Sequence, residues 1–158
     1  MTTNADDAVA MFAEGYNCAQ AVLACCGRAY GLPKETAVQV AQAFGGGIGK
    51  TGNLCGALTG ALMTVGLKWS MQKATDTAMK GKAAGVAQQV MSEFARRHGT
   101  LLCRELTGCD LLTPEGMKRF QEIDAHHTIC PKVVRAAAEI VEGLLSNQEG
   151  TKGAAEPT

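Results

Sequence analysis

The sequence has few aromatic residues, no net charge and no long apolar run, and each shortage argues against a class of protein. Phe, Trp and Tyr make up only 4% of the 158 residues, while the 25 alanines favour closely packed helices over a β-sandwich or a β-barrel. Fifteen Lys plus Arg balance fifteen Asp plus Glu, so we expect no basic surface for nucleic acid or anionic lipid. The longest weakly polar run, Gly56 to Leu67, is shorter than the roughly 18 residues that indicate a membrane span.

Helical patterns fill most of the chain. The hydrophobic content of 46% excludes a disordered chain, and 158 residues correspond to one domain. Asn17 and Thr113 are typical helix starts, Gly99 is a typical helix end, and no segment alternates with period two. The sequence therefore predicts an all-α, single-domain helical bundle of about six to seven helices with a glycine-rich loop. We expect this domain to span residues 1–145 and a disordered polar tail to span 146–158.

The glycine-rich stretch at 45–52 contains the Gly-Lys-Thr ending of a phosphate-binding loop. That loop also needs a glycine at position 44, where this chain has Phe44, and a β-strand in front of it. We therefore predict no nucleotide cofactor and interpret the stretch as a flexible turn that lets Cys55 approach other backbones. Gly56 and Gly60, four residues apart on the next predicted helix, leave a flat face for a close backbone contact.

The seven cysteines are odd in number, so a complete set of internal disulfides cannot form. Residues 1–7 lack the basic flank and apolar core of a signal peptide, which predicts a cytoplasmic protein whose thiols are kept reduced. No C-x-x-C spacing occurs, which argues against a zinc ribbon or a thioredoxin-type motif. The absence of C-x-x-C-H excludes covalently attached haem.

Three cysteines lie in the first turn of three different predicted helices: Cys18, Cys55 and Cys130. The unpaired amides and the helix dipole at these positions favour negative charge. We therefore expect a lowered thiol pKa and a thiolate suited to metal binding or to attack on a disulfide. Cys25 and Cys26 lie in the middle of a predicted helix, and we interpret them as small buried hydrophobic residues.

The remaining cysteines and the histidines carry weaker signals. From spacing alone, either Cys103 or Cys109 could join the site. His98 is expected to lie at a helix C-terminus, where a cation is favourable. For His126 and His127, a solvated loop pair is favoured over a role as donors to the cysteine site.

Four segments together resemble a known family. They are Gly15–Val22 (GYNCAQAV), Cys55–Gly60 (CGALTG) after the glycine run, Cys103–Gly108 (CRELTG) and Cys130–Val134 (CPKVV). Over about residues 10 to 145 the chain resembles the C_GCAxxG_C_C family of redox-active proteins. The resemblance implies a four-thiolate site at Cys18, Cys55, Cys103 and Cys130. A related domain occurs in the split-Soret cytochromes, which carry an iron–sulfur centre beside their haems, but this chain lacks every haem-attachment motif.

The leading hypothesis is an iron–sulfur protein in which these four cysteines hold one two-iron or four-iron cluster. Gly56 and Gly60 would let backbone approach the cluster. The protein would transfer electrons to a redox partner protein rather than act as an independent catalyst; as an enzyme it would be an oxidoreductase.

The alternative is a metal-free thiol–disulfide oxidoreductase or redox sensor that uses the same cysteines. A four-cysteine zinc site and a bundle with inert buried thiols are weaker alternatives. The sequence leaves open the cluster type, the electron donor and acceptor, and the roles of Cys25, Cys26 and Cys109. It also leaves open whether the four cysteines belong to one chain or meet across a homodimer.

Overall fold

Nine α-helices account for most of the protein over residues 1–148, which are the residues that the computed structural model describes. The helices are α1 (Asn4–Ala13), α2 (Cys18–Gly27), α3 (Lys34–Val40), α4 (Gly56–Lys68), α5 (Thr77–His98), α6 (Cys103–Thr107), α7 (Pro114–Glu122), α8 (Ala125–Thr128) and α9 (Cys130–Asn147). No β-strand forms within residues 1–148, so the all-α prediction is confirmed. None of these nine helices is both long and apolar enough to cross a membrane.

Local side-chain signals set the helix ends. Asn17 accepts a hydrogen bond from the Gln20 amide at 2.9 Å, and the Gln20 side chain accepts one from the Asn17 amide at 2.9 Å. This reciprocal capping box starts α2 and satisfies two amides that the helix leaves free. Thr113 caps α7 by accepting from the Gly116 amide at 3.0 Å, and Gly99 ends α5 with a φ of +78°. The predicted helix ends at these three positions are confirmed.

The core is built from small side chains where α2 and α4 pack against each other, with α1 and α9 alongside. Ala19, Ala57 and Ala61 are fully buried. A Cβ atom on Gly60 would lie 2.8 Å from the Ala19 carbonyl oxygen and 3.1 Å from Val22 Cβ. The two helices therefore approach to a distance that only glycine permits, which explains how the chain folds with so few aromatic residues.

The structure differs from the sequence prediction mainly in short elements. The nine helices exceed the predicted six to seven because α6 and α8, of five and four residues, are also helical. The segments after α2 and α3 tighten into 3₁₀ turns at Arg28–Tyr30 and Gln42–Phe44 instead of continuing as α-helix. The last helix, α9, continues to Asn147 and so includes the first two residues of the predicted tail, while residues 149–158 of that tail lie outside the described residues.

Candidate functional site

Four cysteines from four helix N-termini line one cavity of about 490 Å³. Cys18, Cys103 and Cys130 are the first residues of α2, α6 and α9, and Cys55 immediately precedes α4. All seven cysteines lie within the described residues, and only these four line the cavity. A single chain thus brings together the four cysteines that the sequence analysis selected, without a second copy of the chain.

A short antiparallel contact between two loops positions Cys55 and Cys103. Leu54 and Leu102 form an isolated β-bridge, and each cysteine follows one of these leucines. The Cys55 amide donates to the Leu101 carbonyl at 2.9 Å, and the Cys103 amide donates to the Asn53 carbonyl at 2.8 Å. These bonds fix α4 and α6 so that both helices begin at the cavity wall.

The glycine-rich loop forms the neighbouring wall in an unusual backbone conformation. Five consecutive residues, 46–50, have φ between +59° and +71°, and two of them, Ile48 and Lys50, are not glycine. The left-handed region costs a non-glycine residue about 1–2 kcal/mol. At Gly47 the approach to the site leaves no room for a side chain, because a Cβ atom would lie 2.6 Å from Cys103 Cβ.

The two glycines predicted to contact a cofactor occupy different places. Gly56 lines the cavity, and a Cβ atom there would lie 2.9 Å from the Phe44 carbonyl oxygen and 3.2 Å from Cys18 Cβ. Gly60 lies one turn further along α4, in the contact with α2, and is outside the described cavity wall. Its position therefore serves helix packing behind the site.

Burial acts against the predicted lowering of the thiol pKa values. Burial raises the pKa of Cys55 to about 12, although the Ala57 and Leu58 amides at the start of α4 favour its thiolate. The Cys55 side chain nevertheless forms no capping hydrogen bond at the start of α4. Burial also raises the pKa of Cys103, to about 11. The prediction is therefore wrong for Cys55, because the loss of solvent outweighs the field of the helix N-terminus.

Cys18 and Cys130 interact directly, and their thiols shift in opposite directions. The Cys18 thiol hydrogen-bonds to the Cys130 sulfur, which raises the pKa of Cys18, and burial adds to this effect. The same hydrogen bond lowers the pKa of Cys130. The predicted lowering of the thiol pKa is thus wrong for Cys18 and confirmed for Cys130. For Cys130 the neighbouring Cys18 thiol contributes more to the lowering than the helix N-terminus does.

The rest of the cavity wall is mostly apolar and was not identified from the sequence. Met117 and Phe120 reach it from α7, and His126 reaches it from α8 while its ring stacks on Phe12 at 4.4 Å between ring centroids. His127, in contrast, is exposed and hydrogen-bonds to Asp124. The predicted solvated loop pair is therefore wrong for His126, whereas His127 is solvated as predicted but lies in α8 and not in a loop. No local pattern places α7 against this cavity, since that contact depends on the path of the chain after α6.

The thiols do not converge on a single point. In the part of the chain that the structure describes, no group of three or more His, Cys, Asp or Glu side chains could hold one metal ion. A structural zinc ion needs four ligands at about 2.0–2.3 Å from one centre. As the side chains of the described residues stand, they form no such tetrahedral set.

The fold and the site define the class as an all-helical domain with four cysteines around one cavity. The family model described as "Putative redox-active protein (C_GCAxxG_C_C)" matches residues 16–144, a span that includes all four cysteines of the cavity. The chain belongs to this family. No curated protein and no solved structure matches the chain significantly.

Proposed function

We propose that Cys18, Cys55, Cys103 and Cys130 bind one iron–sulfur cluster and that the protein transfers electrons through it. The observation that carries the proposal is that four of the seven cysteines line one cavity although they are dispersed along the chain. Four thiolates are the ligand number of both two-iron and four-iron clusters. The cluster would supply reversible one-electron chemistry.

A cluster, unlike a single ion, does not require the four thiols to meet at one point. In a four-iron cluster each thiolate binds a different iron atom, so the four sulfurs surround an inorganic core instead of one point. The cavity of about 490 Å³ supplies the volume for such a core. Gly47 and Gly56 bring backbone to its wall where any side chain would collide with Cys103 or Cys18.

The electrostatics of the site also suit a bound metal. Buried thiols with raised pKa values are poor thiolates in a metal-free protein, whereas coordination to a metal deprotonates a thiol outright. The helix N-termini at the four cysteines then stabilise the negative charge that the thiolates retain. Burial of Cys55 and Cys103, with 5% and 9% exposure, keeps water away from these two thiols.

The proposal predicts stoichiometric iron and acid-labile sulfide in protein purified without oxygen. About two or four of each per chain, together with visible absorbance, would support a two-iron or a four-iron cluster. The same preparation should lose its colour and metal on chelation after oxidation. Colourless protein that takes up no iron and sulfide during reconstitution would contradict the proposal.

The contact between Cys18 and Cys130 favours a second candidate, a metal-free dithiol–disulfide site. The lowered pKa of Cys130 makes it the better thiolate, and Cys18 is already in hydrogen-bond contact with it. Oxidation of this pair would join the two sulfurs and release two electrons and two protons to a small disulfide oxidant. In this case oxidation with glutathione disulfide lowers the free-thiol count from seven to five, and Cys18→Ser abolishes that change.

Both candidates require a redox partner that donates or accepts electrons. The cluster type, a homodimer and the cytoplasmic location remain predictions. Iron content together with the thiol count after mild oxidation separates the two candidates in one preparation.

A further inference from the structure

Three consecutive backbone amides in the cavity wall have no hydrogen-bond acceptor. Within residues 1–148 the N–H groups of Gly45, Gly46 and Gly47 donate to no backbone or side-chain atom, whereas every amide from Ile48 to Asn53 donates to a backbone carbonyl. All three glycines line the cavity, and Gly47 is buried. A buried amide is normally satisfied by protein, water or a bound ligand. The buried Gly47 amide therefore needs an acceptor in the cavity, and the half-buried Gly45 and Gly46 amides beside it are free to bind the same one.

The charge around these amides favours an anion. Among the described residues that line the cavity there is no Asp or Glu, and Lys50 is its one Lys or Arg. The Lys50 stem packs on the loop, since a Cβ atom on Gly46 would lie 2.9 Å from both Lys50 Cα and Cγ. Lys50 forms no ion pair with any described residue. A cation that pairs with no described residue thus lies on the same loop as three free N–H donors.

The backbone conformation of the loop holds these donors in place. Ile48 and Lys50 adopt left-handed φ values of +66° and +63°. Residues other than glycine rarely adopt such values, and a β-branched residue such as Ile48 does so least readily. The bonds from the Gly52 and Asn53 amides to the Gly46 and Gly47 carbonyls, at 3.1 and 2.9 Å, close the loop. Those two carbonyls are therefore occupied, while the amides of the same residues stay available. Strain of this kind is typical of binding sites.

The loop also lies at the open side of the cavity. Lys50 and Gln42 are exposed, Gly45 and Gly46 are half-buried like Cys18 and Cys130, and Cys55 and Cys103 are buried. A ligand that enters past Lys50 would meet the glycine amides before it reaches Cys55 and Cys103. The cavity volume of about 490 Å³ lies within the range of about 300–1,000 Å³ that is typical of small-molecule sites.

We infer that the Gly45–Gly47 amides and Lys50 bind a small oxyanion, the carboxylate or phosphate group of a small molecule. The site differs from the nucleotide-binding loop that the sequence excludes, because no strand precedes it and no helix begins at Lys50. The anion site does not rest on the proposed function, because its donors belong to the glycine-rich loop and not to the thiols.

The test is a titration of the full, thiol-reduced chain with inorganic phosphate and, separately, with acetate. We expect the ¹⁵N–¹H resonances of Gly45, Gly46 and Gly47 to shift more than those of Gly81 and Gly85, which lie in open positions on α5. Calorimetry should show that Lys50→Gln lowers the affinity for the anion by about tenfold, because the variant loses a charge-assisted hydrogen bond, which is stronger than a neutral one. Lys80→Gln, which removes an exposed lysine of α5, should leave the affinity unchanged.

Tighter binding of phosphate identifies a phosphate-bearing ligand, and tighter binding of acetate identifies a carboxylate-bearing one. Equal affinities in the Lys50→Gln and Lys80→Gln variants, or unshifted glycine amides, would overturn the inference. Anion binding that disappears once iron and sulfide are loaded would also overturn it, because the amides would then serve the metal centre. If no preparation holds iron, the proposed function fails while the anion affinity of the metal-free chain still decides this inference.

Discussion

The Cys55→Ser variant will hold at least about tenfold less iron than the unaltered protein, whereas Cys26→Ser will hold the same amount. Cys55 lines the four-cysteine cavity, while Cys26 is buried in the middle of α2 and outside that cavity. Changes to residues that only support metal ligands already cost about 10–100-fold in affinity or activity, so loss of a ligand should cost no less. Serine is also a good N-cap residue, so α4 can still begin in the variant.

Iron and acid-labile sulfide in both variants, purified without oxygen and compared at equal protein concentration, provide the measurement. Far-UV circular dichroism on the same samples checks that each variant is folded. Equal iron in the two variants would contradict the assignment of Cys55 as a ligand. Loss of iron from Cys26→Ser but not from Cys55→Ser would show that the metal binds near the middle of α2 and not in the four-cysteine cavity.

The second large effect concerns the contact between α2 and α4 behind the site. We expect Gly60→Ala to lower the free energy of unfolding by about 1–3 kcal/mol, because the added Cβ would lie 2.8 Å from the Ala19 carbonyl oxygen. Gly66→Ala is the matched control on the same helix, since nothing lies within 4 Å of its Cβ position. That variant should gain up to about 1 kcal/mol from helix propensity.

Urea unfolding of the two variants, followed by far-UV circular dichroism, measures the difference. The thermal midpoint should fall by about 2–4 °C for each kcal/mol that Gly60→Ala loses. Equal stability of both variants would mean that α2 and α4 can separate without cost at this position. That result would contradict the conclusion that Gly60 is needed for the close packing of α2 against α4.

The helix ends near the site could be predicted because they depend on local chemistry. Asn17 caps α2 and Pro131 occupies the first turn of α9, so the places of Cys18 and Cys130 follow from a few neighbouring residues. The N-terminal position of Cys55 was predicted in the same way. Spacing alone did not separate Cys103 from Cys109; the family resemblance selected Cys103.

The pKa values and much of the cavity wall could not be predicted because they depend on long-range packing. A helix N-terminus favours thiolate only where solvent or donors remain, and the burial of Cys55 reverses the expected shift. The stacking of His126 on Phe12 joins residues from opposite parts of the chain. The left-handed path through Ile48 and Lys50 likewise follows from closure of the loop by the hydrogen bonds of Gly52 and Asn53.

Anomalous diffraction at the iron absorption edge, from crystals grown without oxygen, tests the central claim most directly. The account predicts one iron peak or cluster of peaks enclosed by the sulfurs of Cys18, Cys55, Cys103 and Cys130. Iron bound elsewhere, or a four-cysteine cavity without iron after reconstitution, would contradict it.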